Sequence, residues 1–257
     1  MLLVFDIGNS RTKIGLFHRA QLLSVVSFDT MSTNYVSDCK EALRLLATQD
    51  KTAWKNLSGI AIASVVPSHT KKIEIVCKAQ LKKKPLVISA RLKTGLTISY
   101  AHPLKLGSDR LCNAVAAYHR YKQAVIVVDW GTATKFDVVD RKGAYLGGAI
   151  APGLGASAQL LAERTAQLPR IQLEFPPTVI GKDTVQCLQS GILYGIIEMT
   201  RGMLSRIKKE IKQKPMVVAT GGFSSLLSDH ISNIDAVEPH LVLEGVTIIY
   251  KRNRHHH

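Results

Sequence analysis

The sequence predicts an α/β fold of two related lobes, each a mixed sheet flanked by helices. Three observations predict it. Short apolar strand runs alternate with helical patterns along the whole chain. The turn Asp6-Ile7-Gly8-Asn9-Ser10 returns half a chain later as Asp129-Trp130-Gly131-Thr132-Ala133-Thr134. No linker rich in Pro, Ser or Gly divides the halves. The lobes are therefore expected over 1–117 and 118–254, sharing a packed interface with a cleft, with 255–257 as a tag remnant.

Each element has its own signal. Leu2 to Phe5 is an apolar run, a polar glycine-bearing turn follows, and a second run covers Ile14 to Phe17, which is a β-hairpin pattern. An amphipathic stretch from about Val36 to Leu46, a strand at Ile60 to Val65, a helix after Pro67-Ser68 and a strand at Leu86 to Ile88 come next. An alanine-rich helical pattern then follows Gly107-Ser108-Asp109-Arg110 as far as Tyr118. In the second half, Ala124 to Val128 and Phe136 to Val139 make the second hairpin, and Tyr145 to Gly148 is a strand and turn. A long helix is expected from about Thr184 to Lys209, and a strand at Met216 to Ala219 runs into Thr220-Gly221-Gly222.

Composition narrows the function classes. With 257 residues, 46% of them hydrophobic, the chain can bury a substantial core. No apolar run approaches the roughly 20 residues that cross a bilayer, and MLLVFDIGN carries an acid where a signal peptide wants bases, so a cytoplasmic protein is expected. Cys39, Cys77, Cys112 and Cys187 form no CxxC pair and are expected as reduced thiols. The histidines at 18, 69, 102, 119, 230 and 240 have no metal-ligand spacing, so no transition-metal site is assigned. A net charge of +15 can attract polyanions. Its basic runs, Lys82-Lys83-Lys84 and the series Lys208, Lys209, Lys212, Lys214, lack interleaved aromatics, which favours solvated helix faces over nucleic-acid binding.

The two hairpins carry the chemistry. A strand ending in Asp-x-Gly-Asn/Thr gathers backbone N–H groups and a small polar side chain around one point, and glycine permits close approach there. Phosphate oxygens suit such a point, and the aspartate can hold Mg2+ directly or through water. A single Asp-x-Gly more often caps a turn. Two copies with Thr220-Gly221-Gly222 after a third strand point instead to a nucleotide site of the actin and hexokinase kind. Gly181-Lys182 fails as a Walker loop because Asp183 replaces the Ser/Thr and Pro176 the earlier glycine. Gly153-Leu154-Gly155-Ala156-Ser157-Ala158 fits the dinucleotide fingerprint, but Pro176-Pro177 breaks the strand that should present Glu174; the alternative is a strand-to-helix turn. In Gly107-Ser108-Asp109-Arg110, Asp109 falls at a helix start. Alone, that reads as a cap with a surface ion pair. In a kinase, the carboxylate can accept a hydroxyl proton and the guanidinium can grip a substrate carboxylate.

These segments, with Gly147-Gly148-Ala149-Ile150-Ala151-Pro152-Gly153 and Gly181-Lys182-Asp183-Thr184, occur in the order seen in type III pantothenate kinases, and the chain resembles that family over nearly its whole length. The resemblance extends to Thr165 to Pro169 and to Leu241-Val242-Leu243-Glu244-Gly245. It implies an actin-like (ribonuclease H-like) fold, a homodimer, and conversion of pantothenate with ATP to 4′-phosphopantothenate, the first step toward coenzyme A. It also implies Mg2+ and a monovalent cation, K+ or NH4+. By motif, Asp109 is similar to the general base, and Gly107, Ser108, Asp109 and Arg110 to the pantothenate-binding segment. Asp6, Ile7, Gly8, Asn9, Ser10, Arg11, Thr12 and Lys13 are similar to the triphosphate-binding turn, with Asp6 holding Mg2+ through water. Thr132 would contact ATP, Asp129 the monovalent cation, and Thr184 and Tyr100 pantothenate. Three positions depart: Ser10 stands where many relatives have threonine, Lys135 where several have a second threonine, and Asp183 where asparagine is commoner. The alternative is a regulatory accessory factor of the same fold that binds nucleotide or nucleic acid without kinase activity.

Overall fold

The computed structural model describes residues 1–49 and 54–254. In chain order its main elements are β1 (Leu2–Ile7), β2 (Arg11–His18), β3 (Gln21–Asp29), α1 (Tyr35–Gln49), β4 (Gly59–Ser64), α2 (Pro67–Val76), β5 (Leu86–Val87), β6 (Thr97–Ile98), α3 (Ser108–Tyr121), β7 (Val125–Trp130), β8 (Ala133–Val139), β9 (Ala144–Pro152), α4 (Leu154–Arg164), α5 (Thr184–Ile211), β10 (Met216–Thr220), α6 (Ser224–Leu227), β11 (Ala236–Val237) and α7 (Leu241–Asn253). They form two compact units, Met1–Arg120 with the segment from His240 onward, and Tyr121–Pro239. The sequence reading put the boundary at 117/118 and the last segment in the second lobe. That segment groups with the first unit because α7 packs against β1 and β4 and buries Leu241, Leu243, Val246 and Ile249. Arg120 of α3 also pairs with Glu244 of α7 at 2.5 Å.

The first unit is built on a sheet ordered β3-β2-β1-β4-β5, antiparallel among β1, β2 and β3 and parallel from β1 through β4 to β5. β1 reads as a continuous apolar run because both its faces are covered. Leu3, Phe5 and Ile7 enter a core with Tyr35, Cys39, Leu43 and Leu46 of α1. Leu2, Val4 and Asp6 alternate to the other face. β3 has no counterpart in the sequence reading, since its nine residues are half-exposed and interrupt every apolar run with a polar side chain.

The second unit repeats this plan. Within it the strands run β11-β10-β7-β8-β9, with β7, β8 and β9 antiparallel and β10 parallel to both β7 and β11. Ile126, Val128 and Trp130 of β7 pack with Phe136, Val138 and the α5 residues Leu193, Ile196, Ile197 and Leu204. Val125, Val127 and Asp129 take the opposite face. The glycine-rich segment after β9 is a strand-to-helix turn: Gly153 is the extended N-cap of α4, and residues 165–183 contain no strand to present an acid to a dinucleotide.

Candidate active site

In the first unit, Asp6 lies near the carboxyl end of β1, opposite Lys13 of β2 and Ala63 of β4. The following turn is closed by the Gly8 N–H donating to the Arg11 carbonyl at 3.1 Å. Asn9, Ser10 and Arg11 are exposed, and Arg11 donates to Ser27 Oγ at 2.7 Å. Ile7 and Thr12 are fully buried. The Thr12 hydroxyl meets Thr30 Oγ1 at 2.9 Å and the Tyr35 hydroxyl at 3.1 Å, and burial pushes the Tyr35 phenol up to about 12. These two side chains anchor the hairpin to the core, which leaves only their backbone groups to face a ligand.

The second acidic segment of this unit is docked onto the same end of the sheet. Ser108, the first residue of α3, donates its hydroxyl to the Ser64 carbonyl at the end of β4, 2.9 Å away. Asp109 sits in the first helical turn, where the helix dipole favours negative charge. Its carboxylate folds back over Gly107, where a Cβ would come within 2.6 Å of Oδ1 and push the carboxylate aside. Arg110 is buried, 7% exposed, which rules out the surface ion pair that the motif suggests in isolation. Cys112, one turn further, is fully buried. Its thiol is held well above its usual range by burial first and then by the charges of Asp6 and Asp109. Tyr100 lies half-buried after β6.

In the second unit, Asp129 holds the same place in β7, paired with Thr220 of β10 on one side and Lys135 of β8 on the other. Directly opposed residues of an antiparallel pair share a face. Lys135 Nζ donates to Asp129 Oδ2 at 2.9 Å. The other oxygen, Oδ1, abuts Gly221, which has φ of +96° and where a Cβ would come within 2.6 Å of that oxygen and 2.5 Å of the Trp130 carbonyl. Only glycine fits there. Asp137, two residues along from Lys135, accepts from the Tyr145 hydroxyl at 2.7 Å. Thr132 is exposed in a tight turn whose Gly131 N–H donates to the Ala133 carbonyl at 3.3 Å. Thr184 is exposed at the start of α5, and Asp183 is that helix's N-cap, accepting from the Gln186 N–H at 2.8 Å. The departure at 183 therefore leaves Thr184 at a well-formed helix start.

The sequence reading named Lys135 as a departure from the threonine of several relatives, without pairing it to Asp129. Its contact with Asp129 was legible from the hairpin register, which a two-residue turn would have fixed. Gly221 and the Ser64 carbonyl carried no comparable signal. Asp6 fits Mg2+, which is often held by one carboxylate together with water and phosphate oxygens. Asp129 does not fit a free monovalent cation, because the Lys135 ammonium already occupies its Oδ2. Among the described residues no group of three or more His, Cys, Asp or Glu could hold a metal, and no helix is long and apolar enough to cross a membrane.

Comparison with known proteins decides the family. The sequence profile of the type III pantothenate kinases matches residues 2–206. The chain belongs to the type III pantothenate kinase family. A type III pantothenate kinase of Moorella thermoacetica is 43% identical over 255 residues, covering 98% of this chain and all of that protein. Like the family, this chain is a phosphotransferase acting on pantothenate in coenzyme A biosynthesis. Solved structures share the actin-like kinase fold. A conserved Campylobacter jejuni protein assigned to the Baf family of transcriptional activators superposes with a TM-score of 0.61 at 19% identity, covering 98% of this chain and 99% of that one. A Listeria monocytogenes protein assigned as an N-acetylmannosamine kinase gives 0.54 at 12% identity, covering 98% and 99%. Such low identities speak for fold alone. The regulatory alternative is not favoured by the family match.

Proposed function

We propose that this type III pantothenate kinase transfers the γ-phosphoryl group of ATP to the pantothenate hydroxyl by positioning, with Asp109 as general base. The docking of Ser108 onto the Ser64 carbonyl supports it, because it sets the proton-accepting acid of α3 at the end of β4 that runs beside the phosphate-side Asp6 of β1. The backbone N–H groups of Asn9 and Ser10 and the Lys13 ammonium hold the triphosphate, and Asp6 holds Mg2+ through water. Bound Mg2+ screens the charge that the triphosphate carries into the transition state. Asp109 orients the attacking hydroxyl and accepts its proton, while buried Arg110 meets the pantothenate carboxylate in bidentate fashion. Thr132 contacts the nucleotide, and Tyr100 and Thr184 contact pantothenate.

The monovalent cation implied at Asp129 is left out of this scheme, because Lys135 is already bound there. The family resemblance also supports a cytoplasmic homodimer, which sedimentation equilibrium would test. The decisive experiment is Asp109→Asn in a pantothenate-dependent ADP-release assay. Turnover should fall by about 10²-fold or more while ATP binding persists. Unchanged turnover would remove Asp109 from the mechanism.

A further inference from the structure

We propose that the Lys135 ammonium takes the place of the monovalent cation beside Asp129, so that this kinase works without K+ or NH4+. The inference deepens the kinase reading above and rests on it. Lys135 and Asp129 face each other across the β7–β8 pair, on the face turned away from the core of Phe136 and Trp130. Their side chains are only 16% and 9% exposed, and Nζ sits 2.9 Å from Oδ2. Gly221 backs the remaining oxygen, so the carboxylate is fixed between a backbone wall and the ammonium.

Chemically, a lysine head group is an ammonium ion on a tether: one compact positive charge with three N–H donors. It satisfies the carboxylate as NH4+ would, and it is present at every turnover whatever the solution contains. A second cation at the same oxygens would meet a like charge at contact distance in a poorly solvated site. A threonine at 135 would supply only a neutral hydroxyl and would leave Asp129 to recruit its cation from solution.

The test uses the full chain dialysed into choline buffer free of K+ and NH4+, with two readouts. In ADP release with MgATP and pantothenate, the wild type should change by less than about fivefold on adding KCl, the lower edge of an ordinary coupling. Lys135→Thr should lose at least about fivefold in choline and regain it with KCl or NH4Cl. In thermal melting at matched ionic strength, KCl should leave the wild type where choline chloride does. It should raise Lys135→Thr by about 2–4 °C for each kcal/mol of cation binding. Lys135→Met, which keeps the length without a hydroxyl ligand, serves as the second variant. A K+-specific rise in wild-type melting, or strong K+ activation of the wild type, overturns the proposal; so does full activity of Lys135→Thr in choline. Should ADP release be absent with every cation, the kinase reading fails, and the melting series still decides what Asp129 binds.

Discussion

The two aspartate hairpins share a register and differ in what the facing lysine does. Asp6 is opposed by Lys13, and Asp129 by Lys135. In the second hairpin the lysine is spent on its own aspartate at 2.9 Å. In the first, Lys13 makes no ion pair among the described residues, and its charge is felt instead by His240. The same cross-strand pairing thus yields a closed, internally neutral turn in one unit and an available cation in the other. A duplicated motif fixes where groups stand, and the local partners decide which copy can still take a ligand.

The largest effect expected from this contrast is on stability. Asp129→Asn strips Lys135 of its carboxylate in a mostly buried setting and should cost about 2 kcal/mol in chemical denaturation, less than for a fully buried pair because Lys135 keeps some exposure. Lys13→Met should cost less than about 0.5 kcal/mol, as for an ordinary surface change. Double-mutant cycles make the comparison sharp. Coupling between positions 129 and 135 should reach about 1 kcal/mol or more, and coupling between 6 and 13 should lie near zero. Equal couplings would erase the distinction drawn between the hairpins.

The second effect falls on function. If Lys13 is kept available for the triphosphate, Lys13→Met should raise KM for ATP about tenfold, the worth of one charge-assisted hydrogen bond, with little change in melting temperature. Lys135→Met should do the reverse, lowering melting temperature with a smaller effect on the KM for ATP. Steady-state kinetics on the two variants would check this. An unchanged KM in Lys13→Met would remove that residue from the phosphate site.

Much of this was legible in the sequence for a physical reason. Strands buried on both faces print as continuous apolar runs, so β1, β4, β7 and β10 were found to within a few residues, and glycine turns mark where they end. β3 was not legible, because a half-exposed strand has no such print. The place of α7 was not legible either, since its apolar stripe says that it packs but not against which sheet. At the site, Asp6 and Asp129 stood out by repetition. The burial of Arg110 did not, because an acid-base neighbour pair at a helix start reads as surface until the rest of the chain covers it. The Lys135 contact lay in between: alternation put it on the right face, but only the register of the tight turn puts it opposite Asp129.

The smallest expected effect probes Lys13 from its other side. His240 has its pKa lowered below the ordinary 6.5, by burial first and by the Lys13 charge second. A histidine depressed in the folded state stays neutral there while the unfolded chain takes up its proton. Its contribution to stability is therefore intact above about pH 6.5 and is lost as the pH falls below that value toward the folded pKa. Lys13→Met removes the second cause and leaves the first. The His240 ring should then titrate at a higher pH in an NMR series, still below its ordinary value because burial remains, and the loss of melting temperature between about pH 7 and 5 should shrink. If the ring titrated identically in both proteins, the Lys13 ammonium would be pointing elsewhere, and the open half of the comparison would lose its support.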